Sequence, residues 1–313
     1  MSVPRRPLIE LAPVAPGASI GVVAAASFAQ LERIEAGLAA VRALGFDPKP
    51  AANALARGPL YFAGTPEQRL ADIHTAFADE STSLVMSLRG GYGSNYLLEG
   101  LDLAEIAAHP KPFFAYSDLT GIQLRLLDEL GLPAFHGPML AADFYLEGGV
   151  HLESFNAGLG GAAYSVGAAE GMRVLKSGSA HGVLYGGCLS ILTALIGTPW
   201  EPRTEGTLLF IEDVGAKPYQ IDRMLWQMRK AGKFDGVTGI IFGEMLDCVS
   251  PGAEPELLDQ AILNSLDGFE GPIAIGLRSG HVSRQNVTLT LGVRAKLTAG
   301  ADAQLAIESR VKK

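Results

Sequence analysis

Three residues that could act together in hydrolysis stand at the ends of predicted strands. Ser117 closes an apolar run in the stretch FFAYSDLT, and a helical pattern begins just after it. Glu212 closes the strand-like run LLFI, and His281 follows a predicted strand in the second half of the chain. A hydroxyl is a weak nucleophile that needs a base, and the base needs a carboxylate to orient it. The order Ser…Glu…His is therefore consistent with a hydrolytic triad.

Each of these residues also has an ordinary structural explanation. Ser117 can cap a helix, His281 can be a solvated loop residue, and Glu212 can be a solvated carboxylate at a strand end. The G-x-S-x-G signature of a nucleophile elbow is absent, because Ala115 and Leu119 occupy the glycine positions. The triad is thus a hypothesis that depends on the combination of residues rather than on any one of them.

A glycine-rich segment, Arg89-Gly90-Gly91-Tyr92-Gly93, directly follows the buried run SLVMSL. Glycines let a backbone approach a ligand and expose its N–H groups, although a plain turn has the same composition. A dinucleotide loop is a rival, but Tyr96 stands where G-x-G-x-x-G requires its third glycine. Donors for an oxyanion hole fit better, since this loop ends a strand near that of Ser117.

Metal and cofactor chemistry has little support in the pattern. The six histidines show no HExxH spacing, so no zinc site is predicted. Cys188 and Cys248 have no partner at CxxC spacing and are interpreted as buried small hydrophobes in a reducing compartment. We therefore expect neither a metal nor a cofactor.

The composition argues against several classes of protein. Of 313 residues, 48% are hydrophobic and only 19% are charged, which favours a packed core over disorder. The net charge of -8 and the lack of a basic run argue against nucleic acid and anionic membranes as partners. Arg5-Arg6 resembles the start of a twin-arginine signal, but Glu10 and Pro13 interrupt the apolar core that such a signal needs. Since no apolar run has the length of a membrane helix, we expect a cytoplasmic protein.

Strand-like and helix-like patterns alternate over residues 19–137. The clearest helix start is Thr65-Pro66-Glu67-Gln68, where Thr65 can cap the helix and Gln68 can complete a capping box. This alternation predicts right-handed βαβ units and a parallel sheet. The predicted strands are 20–24, 83–88, 113–116 and 133–136, and a further predicted helix covers 30–44.

The second half mixes strands with two clear helices. One helix is predicted from Pro218 to about Ala231 and the other from near Pro255. Strands are predicted at 207–211, 237–242, 272–276 and 287–291, with terminal strands within 293–307. Residues 146–180 are rich in Gly, Ala and Ser and lack periodicity. We therefore predict an N-terminal domain over 1–160, a linker over 161–180 and a C-terminal domain over 181–313.

The sequence resembles the LD-carboxypeptidase family of serine peptidases, which includes murein tetrapeptide carboxypeptidases and microcin-immunity proteins. The resemblance extends nearly from end to end through ordered blocks. These blocks are PGASIGVV at 16–23, AGTPEQR at 63–69, RGGYGSNYLL at 89–98, AYSDLT at 115–120, HGP at 136–138, GGCLSILTALIGTPW at 186–200, FIEDV at 210–214, PYQIDRML at 218–225 and GHVSRQNVTLTLG at 280–292.

The resemblance implies a fold and roles for the residues in these blocks. Ser117 matches the family's nucleophile, Glu212 its triad acid and His281 its base. The N–H groups of Asp118 and of the Gly90-Gly91 turn match its oxyanion hole. The implied fold is α/β, with an N-terminal flavodoxin-like parallel-sheet domain and a C-terminal mixed-strand α/β domain. The family places its active site in the cleft between the domains and usually forms a homodimer.

The implied activity is hydrolysis of the bond between an L-configured centre, Lys or diaminopimelate, and the C-terminal D-alanine of murein tetrapeptide. This reaction belongs to cell-wall recycling. Arg89 and Tyr92 are candidates for substrate binding, and Arg278 is a further candidate, because an arginine fork suits a carboxylate. Two departures leave substrate preference open. Cys188 stands where a GGNL-like block has asparagine, and Thr290 where an LPLG-like block has proline.

The sequence leaves three other functions open. A microcin-immunity-like hydrolase of peptidyl-nucleotides should carry an aromatic platform for the base. The only tryptophans are Trp200 and Trp226, and the helical pattern around Trp226 predicts core packing. A non-catalytic protein that binds small peptides is the second alternative, and the intact Ser117, Glu212 and His281 argue against it. A dinucleotide-binding enzyme is a distant third.

Overall fold

The chain of this computed structural model forms two compact units that are not contiguous in sequence. The structure describes residues 6–252, 254 and 256–311. The first unit contains residues 6–162, Arg284–Gly292 and residues 310–311. The second contains Ala163–Ser283 and Val293–Ser309. The chain thus leaves and re-enters each unit, and the segment that follows His281 by three residues belongs to the unit that contains Ser117.

A six-stranded sheet forms the centre of the first unit. Numbered along the whole chain, its strands are β1 (Ser19–Val23), β2 (Asp47–Pro50), β3 (Thr82–Ser87), β4 (Phe113–Ala115), β5 (Ala134–His136) and β12 (Leu289–Leu291). Their order is β2-β1-β3-β4-β5-β12. The first five strands are parallel, and their order is the doubly wound, flavodoxin-like one, as predicted. Only β12 is antiparallel, where it pairs with β5.

Helices connect the parallel strands of this unit, and a further helix follows the last of them. The connecting helices are α1 (Leu31–Ala43), α2 (Pro66–Ala78), α3 (Leu103–Ala108) and α4 (Thr120–Leu130), and α5 (Leu152–Gly160) follows β5. The Thr65 side chain accepts a hydrogen bond from Gln68 N, and the Gln68 side chain accepts one from Thr65 N, so the predicted capping box is confirmed. Strand β3 is buried on both faces except at Ser83, as expected for a strand between helical layers.

The second unit is built on an eight-stranded mixed sheet. Its strands are β6 (Tyr164–Val166), β7 (Arg173–Lys176), β8 (Gly178–Cys188), β9 (Thr207–Glu212), β10 (Gly239–Gly243), β11 (Ile273–Leu277), β13 (Arg294–Ala299) and β14 (Ala303–Ile307). The order is β6-β14-β13-β8-β9-β10-β11-β7. The four central strands β8 to β11 are parallel, and the outer strands are antiparallel. Glu212 is therefore the last residue of a central strand.

The helices of the second unit are α6 (Leu189–Ala194), α7 (Pro218–Lys230) and α8 (Leu257–Ser265). Helix α7 has the predicted bounds to within one residue. The predicted helix start at Pro255 lies outside the described residues. Trp226 on α7 is 57% exposed, so the expectation that it packs in the core is wrong. The buried face of this helix is instead formed by Ile221, Leu225 and Met228.

The segment 146–180 is more ordered than its composition suggests. It contains α5, β6 and β7, and the last two lie within the stretch predicted as a linker. Both strands are short and pair only with strands distant in sequence, β14 and β11. Local periodicity cannot reveal such strands, because their ladder partners lie about a hundred residues or more away in sequence. No described helix is both long and apolar enough to cross a membrane.

Candidate active site

Ser117 lies on a sharp turn between β4 and α4. Its φ of +65° places a residue with a Cβ in the left-handed region, where side chains are sterically disfavoured. Residues Ser117–Leu119 form one 3₁₀ turn that leads into the helix, and Thr120 Oγ1 donates a hydrogen bond to Ser117 O at 2.8 Å. A strained strand-to-helix turn is the backbone of a nucleophile elbow, and it presents the hydroxyl beyond the strand end. This chain forms the turn although the two glycines of G-x-S-x-G are replaced.

The glycine loop after β3 lies directly against this turn. A Cβ atom on Gly90 would be 2.7 Å from Ser117 Cβ, 2.9 Å from Ser117 Oγ and 3.4 Å from Asp118 N. Contacts this short exclude every side chain at position 90, so the backbone itself approaches the hydroxyl. Gly91 has a φ of +113°, and a Cβ there would meet Ser27 Oγ at 2.4 Å. Two glycines are thus required by the close approach of the loop to Ser117 and Ser27.

Asp118, which follows the serine, is buried with its carboxylate turned to the same loop. Its Oδ2 accepts a hydrogen bond from Ser94 N at 2.7 Å, and Ser94 Oγ donates to Asp118 O at 2.5 Å. Burial raises the pKa of Asp118, while hydrogen bonds from Ser94 and Gly93 and the charge of Arg69 act in the opposite direction. Asp118 therefore joins the turn at Ser117 to the glycine loop through two short hydrogen bonds.

Arg69 is a buried residue of this site that the sequence did not single out. It is 1% exposed, and its Nη1 donates to Gly93 O at 2.8 Å and to Ala25 O at 3.2 Å. Burial lowers the pKa of Arg69, and the neighbouring carboxylate of Asp118 raises it. The residue lies in the block AGTPEQR, but an arginine in an amphipathic helix is normally solvated, so its burial could not be read from the pattern.

The two candidate substrate-binding residues stand on the glycine loop. Arg89 is partly exposed, and its Nη2 lies 3.6 Å from the position that a Cβ of Gly91 would take. Tyr92 is 41% exposed, and its N–H donates to Ser27 Oγ at 3.1 Å. Its ring packs against the rings of three other residues at centroid distances of 5.3 to 6.2 Å. These residues are Tyr61, Phe62 and Tyr96. The loop therefore carries an aromatic cluster, with Tyr92 exposed, beside the turn at Ser117.

The second unit contains a hydrogen-bonded pair of a glutamate and a histidine. Glu212 Oε2 accepts hydrogen bonds from His281 Nδ1 at 2.7 Å and from the backbone N–H of His281 at 3.1 Å. Glu212 is fully buried, whereas His281 is partly exposed. An ionised carboxylate can only accept a hydrogen bond, so the imidazole proton is assigned to Nδ1. The ring's lone pair is then on Nε2. A histidine oriented by a carboxylate in this way is chemically able to act as a general base.

Two glycines make room for the carboxylate of Glu212. A Cβ on Gly280 would lie 2.6 Å from Glu212 Cδ, and one on Gly243 would lie 2.7 Å from Glu212 Cβ. Gly280 also has a φ of +92°, which a side chain disfavours. The GH dipeptide is therefore explained by geometry, since only glycine lets His281 reach the acid on β9.

Cys188 lies beside the acid, opposite Glu212 in the ladder between β8 and β9. Burial and the nearby carboxylates of Glu212 and Asp213 raise the pKa of its thiol well above the ordinary range. Asp213 accepts hydrogen bonds from Ser190 N at 2.9 Å and from Ser190 Oγ at 2.5 Å. The thiol therefore stays protonated, and it places a neutral group where the sequence block led us to expect an amide.

The remaining candidates lie in structural positions. Arg278 is 8% exposed, and its Nη2 donates to Ala169 O at 2.5 Å, so its guanidinium is engaged within the second unit. Thr290 is buried on β12 opposite Phe135. Trp200 is partly buried. Across the ranges that the structure describes, no group of three or more His, Cys, Asp or Glu residues is arranged to hold a metal.

Known proteins resemble the chain over nearly its whole length. Family models of the LD-carboxypeptidase N-terminal domain and of the LD-carboxypeptidase C-terminal domain match residues 20–137 and 181–297. A probable murein peptide carboxypeptidase of Bacillus subtilis is 35% identical over 306 residues, which cover 94% of this chain and 93% of that protein.

Solved structures share the fold. A muramoyltetrapeptide carboxypeptidase from Oxalobacter formigenes superposes with a TM-score of 0.82 at 27% identity, over 94% of this chain and all of that one. The microcin C7 self-immunity protein MccF of Escherichia coli is 27% identical over 75% of this chain and 76% of its own. Its structure in complex with glutamyl sulfamoyl guanosine gives a TM-score of 0.86 at 26% identity and covers 97% of this chain and 99% of that one.

Proposed function

The chain belongs to the LD-carboxypeptidase family, and we propose that it is a serine carboxypeptidase that releases the C-terminal D-alanine of murein tetrapeptide. The bond cleaved would join D-alanine to an L-configured centre, Lys or diaminopimelate. The observation that carries this proposal is the 2.7 Å hydrogen bond between Glu212 and His281, because a protein that only binds peptides has no need of an oriented base.

In the proposed reaction Ser117 is the nucleophile, His281 the base and Glu212 the acid that orients the base. Ser117 Oγ attacks the carbonyl carbon while Nε2 of His281 takes its proton, and Glu212 stabilises the imidazolium. The tetrahedral intermediate collapses, the C–N bond breaks, and His281 protonates the leaving amine of D-alanine. Water, activated by His281, then hydrolyses the acyl-enzyme and regenerates the serine.

The negative charge that develops on the carbonyl oxygen needs donors close to Ser117. We assign them to the N–H of Asp118 and to N–H groups of the Gly90-Gly91 turn. The short approach of Gly90 to both Ser117 Oγ and Asp118 N supports this assignment. Each donor of this kind contributes roughly 3 kcal/mol to lowering the barrier.

Substrate recognition is assigned to the glycine loop. A terminal carboxylate suits the planar fork of Arg89, which is partly exposed, and Tyr92 offers an aromatic face beside it. Arg278 is less suited, because its guanidinium is already engaged by Ala169. The proposed role is cell-wall recycling in the cytoplasm by a homodimer, and sedimentation velocity would test the dimer directly.

A second candidate activity is hydrolysis of the amide in a peptidyl-nucleotide. The exposed aromatic cluster of Tyr61, Phe62, Tyr92 and Tyr96 favours it, because exposed rings can stack on a nucleobase. The likeness to MccF, solved with a sulfamoyl nucleoside, also favours it. The same catalytic residues would serve both reactions, so substrate binding alone separates the two candidates.

The deciding experiment compares D-alanine release by the native protein, by Ser117→Ala and by Ser83→Ala. Ser83 is an exposed serine on β3 and serves as the matched control. Murein tetrapeptides with Lys or diaminopimelate at the third position are offered alongside glutamyl sulfamoyl guanosine. If the native and Ser83→Ala proteins release D-alanine and Ser117→Ala does not, the result supports the carboxypeptidase. Cleavage of the nucleoside alone supports the second candidate, and binding without cleavage of any substrate refutes both.

A further inference from the structure

A buried polar cluster joins the glycine loop to the turn at Ser117. Its members are Arg69, the Gly93–Ser94 peptide and Asp118, and we call it the clasp. The carbonyl of Gly93 accepts from Arg69 Nη1 at 2.8 Å, and the N–H of Ser94 donates to Asp118 Oδ2 at 2.7 Å. One peptide group is therefore held at both of its polar ends, by two side chains from different elements.

The clasp is closed by a second bond and by the shape of the loop. Ser94 Oγ donates to the carbonyl of Asp118 at 2.5 Å, so the two residues are joined twice. Gly93 has a φ of +113°, and a Cβ there would lie 2.5 Å from Phe62 Cε1. The loop therefore has little freedom to shift, since its backbone is both hydrogen-bonded and sterically enclosed.

Stability alone is a poor explanation for this arrangement. Arg69, Ser94 and Asp118 are 1%, 2% and 3% exposed, so two ionisable groups have been removed from water. Apolar residues of similar volume are often as stabilising as a buried charged pair, so such a pair is weak evidence of stabilisation. What hydrogen-bonded buried groups provide is a single geometry, because any displacement leaves a polar atom unpaired.

The residues of the clasp are close in sequence to the groups to which the oxyanion donors are assigned. Asp118 directly follows Ser117, and Ser94 stands three residues after Gly91. The clasp thus connects the two segments to which the oxyanion donors are assigned. We propose that the clasp sets the spacing between these donors, and that Arg69, Ser94 and Asp118 are positioning residues for the attack by Ser117. This inference rests on the proposed function, since it concerns the same nucleophile.

The test measures phosphonylation of Ser117 by a fluorophosphonate, which needs the nucleophile and the oxyanion donors but no peptide. The maximal rate, kinact, and the half-saturating concentration, KI, are determined for native protein, Asp118→Ala, Asp118→Asn and Ser94→Ala. Asparagine keeps an oxygen that can accept from Ser94 N, whereas alanine does not. Asp72→Ala is the matched control, because Asp72 is a buried carboxylate whose hydrogen bonds come from Asn53.

Displacement of a reacting group by about 1 Å can slow a reaction roughly 100-fold. We therefore expect Asp118→Ala to lower kinact by up to that factor with KI unchanged, and Ser94→Ala to lower it less. Asp118→Asn should restore most of the rate, and Asp72→Ala should retain it. Thermal melting identifies any variant that fails to fold. If Asp118→Ala does not fold, the comparison of kinact between Ser94→Ala and Asp72→Ala decides.

The outcomes separate this inference from the proposed function. If the native protein is labelled at Ser117 and kinact is the same in all folded variants, the clasp has no positioning role and the serine hydrolase stands. If asparagine is as slow as alanine at position 118, the hydrogen-bond account is wrong. If the native protein is not labelled, the proposed function fails and the role of the clasp fails with it.

Discussion

Glu212 holds His281 by two atoms at once, since Oε2 of the acid accepts from both Nδ1 and the backbone N–H of the histidine. The side chain therefore fixes the ring and the loop that carries it. A single hydrogen bond to the ring would orient the imidazole but leave the loop free to move. The GH dipeptide and the acid at the end of β9 behave as one structural unit.

Replacement of Glu212 by glutamine should remove most of the activity and leave the fold intact. An amide can donate to Nδ1 and so stabilise the wrong tautomer, which places the proton on Nε2 and disables the base. We expect kcat for D-alanine release to fall roughly 10⁴-fold, as for the comparable change in other triads. Glu205→Gln, at an exposed position just before β9, is the control. A loss smaller than about tenfold would contradict the assigned role of Glu212.

Replacement of Gly90 by alanine should abolish the proposed D-alanine release through steric contact. The new methyl group would stand 2.7 Å from Ser117 Cβ and 2.9 Å from its Oγ, so either the loop or the serine must shift. We expect a loss of about 100-fold or more in kcat, because the displaced groups are the proposed nucleophile and its proposed oxyanion donors. Gly160→Ala should be fully active, since outside its own helix backbone and chain neighbours no atom lies within 4 Å of the added methyl. Full activity of Gly90→Ala would show that the loop is too distant or too mobile to act.

Replacement of Tyr92 by alanine should weaken substrate binding more than it slows the reaction. Loss of an aromatic contact is worth about 0.5–1.5 kcal/mol, which corresponds to roughly a two- to tenfold increase in KM. Tyr92→Phe should retain most of the affinity, because the ring remains. Tyr219→Ala, which removes a 62% exposed tyrosine on α7, provides the control. Equal KM values in Tyr92→Ala and Tyr219→Ala would show that Tyr92 makes no contact with the substrate.

The stability of the protein should fall in alkaline solution because of its buried thiols. Burial raises the pKa of Cys248 from 9.0 to about 12, and the charge of Asp213 acts in the same direction. The native state therefore keeps a proton that the unfolded chain loses above pH 9.0, so unfolding releases protons. The stabilisation is present below pH 9.0 and is lost as the pH rises towards about 12, with a slope of at most about 1.4 kcal/mol per pH unit for one group.

Urea unfolding between pH 8 and pH 11 tests this prediction. Cys248→Ala should have a shallower loss of the free energy of unfolding with pH than the native protein, whatever its stability at pH 8. Some alkaline slope should remain, because the pKa of Cys188 is raised as well. Identical slopes in the two proteins would show that the Cys248 thiol ionises as readily in the folded state as in the unfolded one.

Local features of the fold could be predicted from the sequence. The capping box at Thr65 and Gln68 depends on neighbours three residues apart, and the parallel strands follow from short apolar runs between helical patterns. The flavodoxin-like order of the first five strands follows from the family resemblance alone, and β2 (Asp47–Pro50) was not among the predicted strands. Strand ends also showed where chemistry could lie, because Ser117, Gly90 and Glu212 each stand at or just beyond one.

Long-range features could not be predicted. The pairing of β12 with β5 joins residues about 150 positions apart, and no periodicity near residue 290 indicates which sheet it enters. The burial of Arg69 and the exposure of Trp226 both oppose the usual behaviour of these residue types. No sequence pattern marks Ser94 either, because its contact with Asp118 exists only in the folded chain.

The late position of β12 bears on how the protein is made. The first sheet needs Leu289–Leu291 to cover the free edge of β5, so its last strand leaves the ribosome only after most of the second unit has been synthesised. Until then β5 is an open edge able to pair with another nascent chain. The sheet that leads into Ser117 is therefore among the last parts to be completed during translation. A shortened product that ends before residue 289 should aggregate rather than accumulate as a stable half.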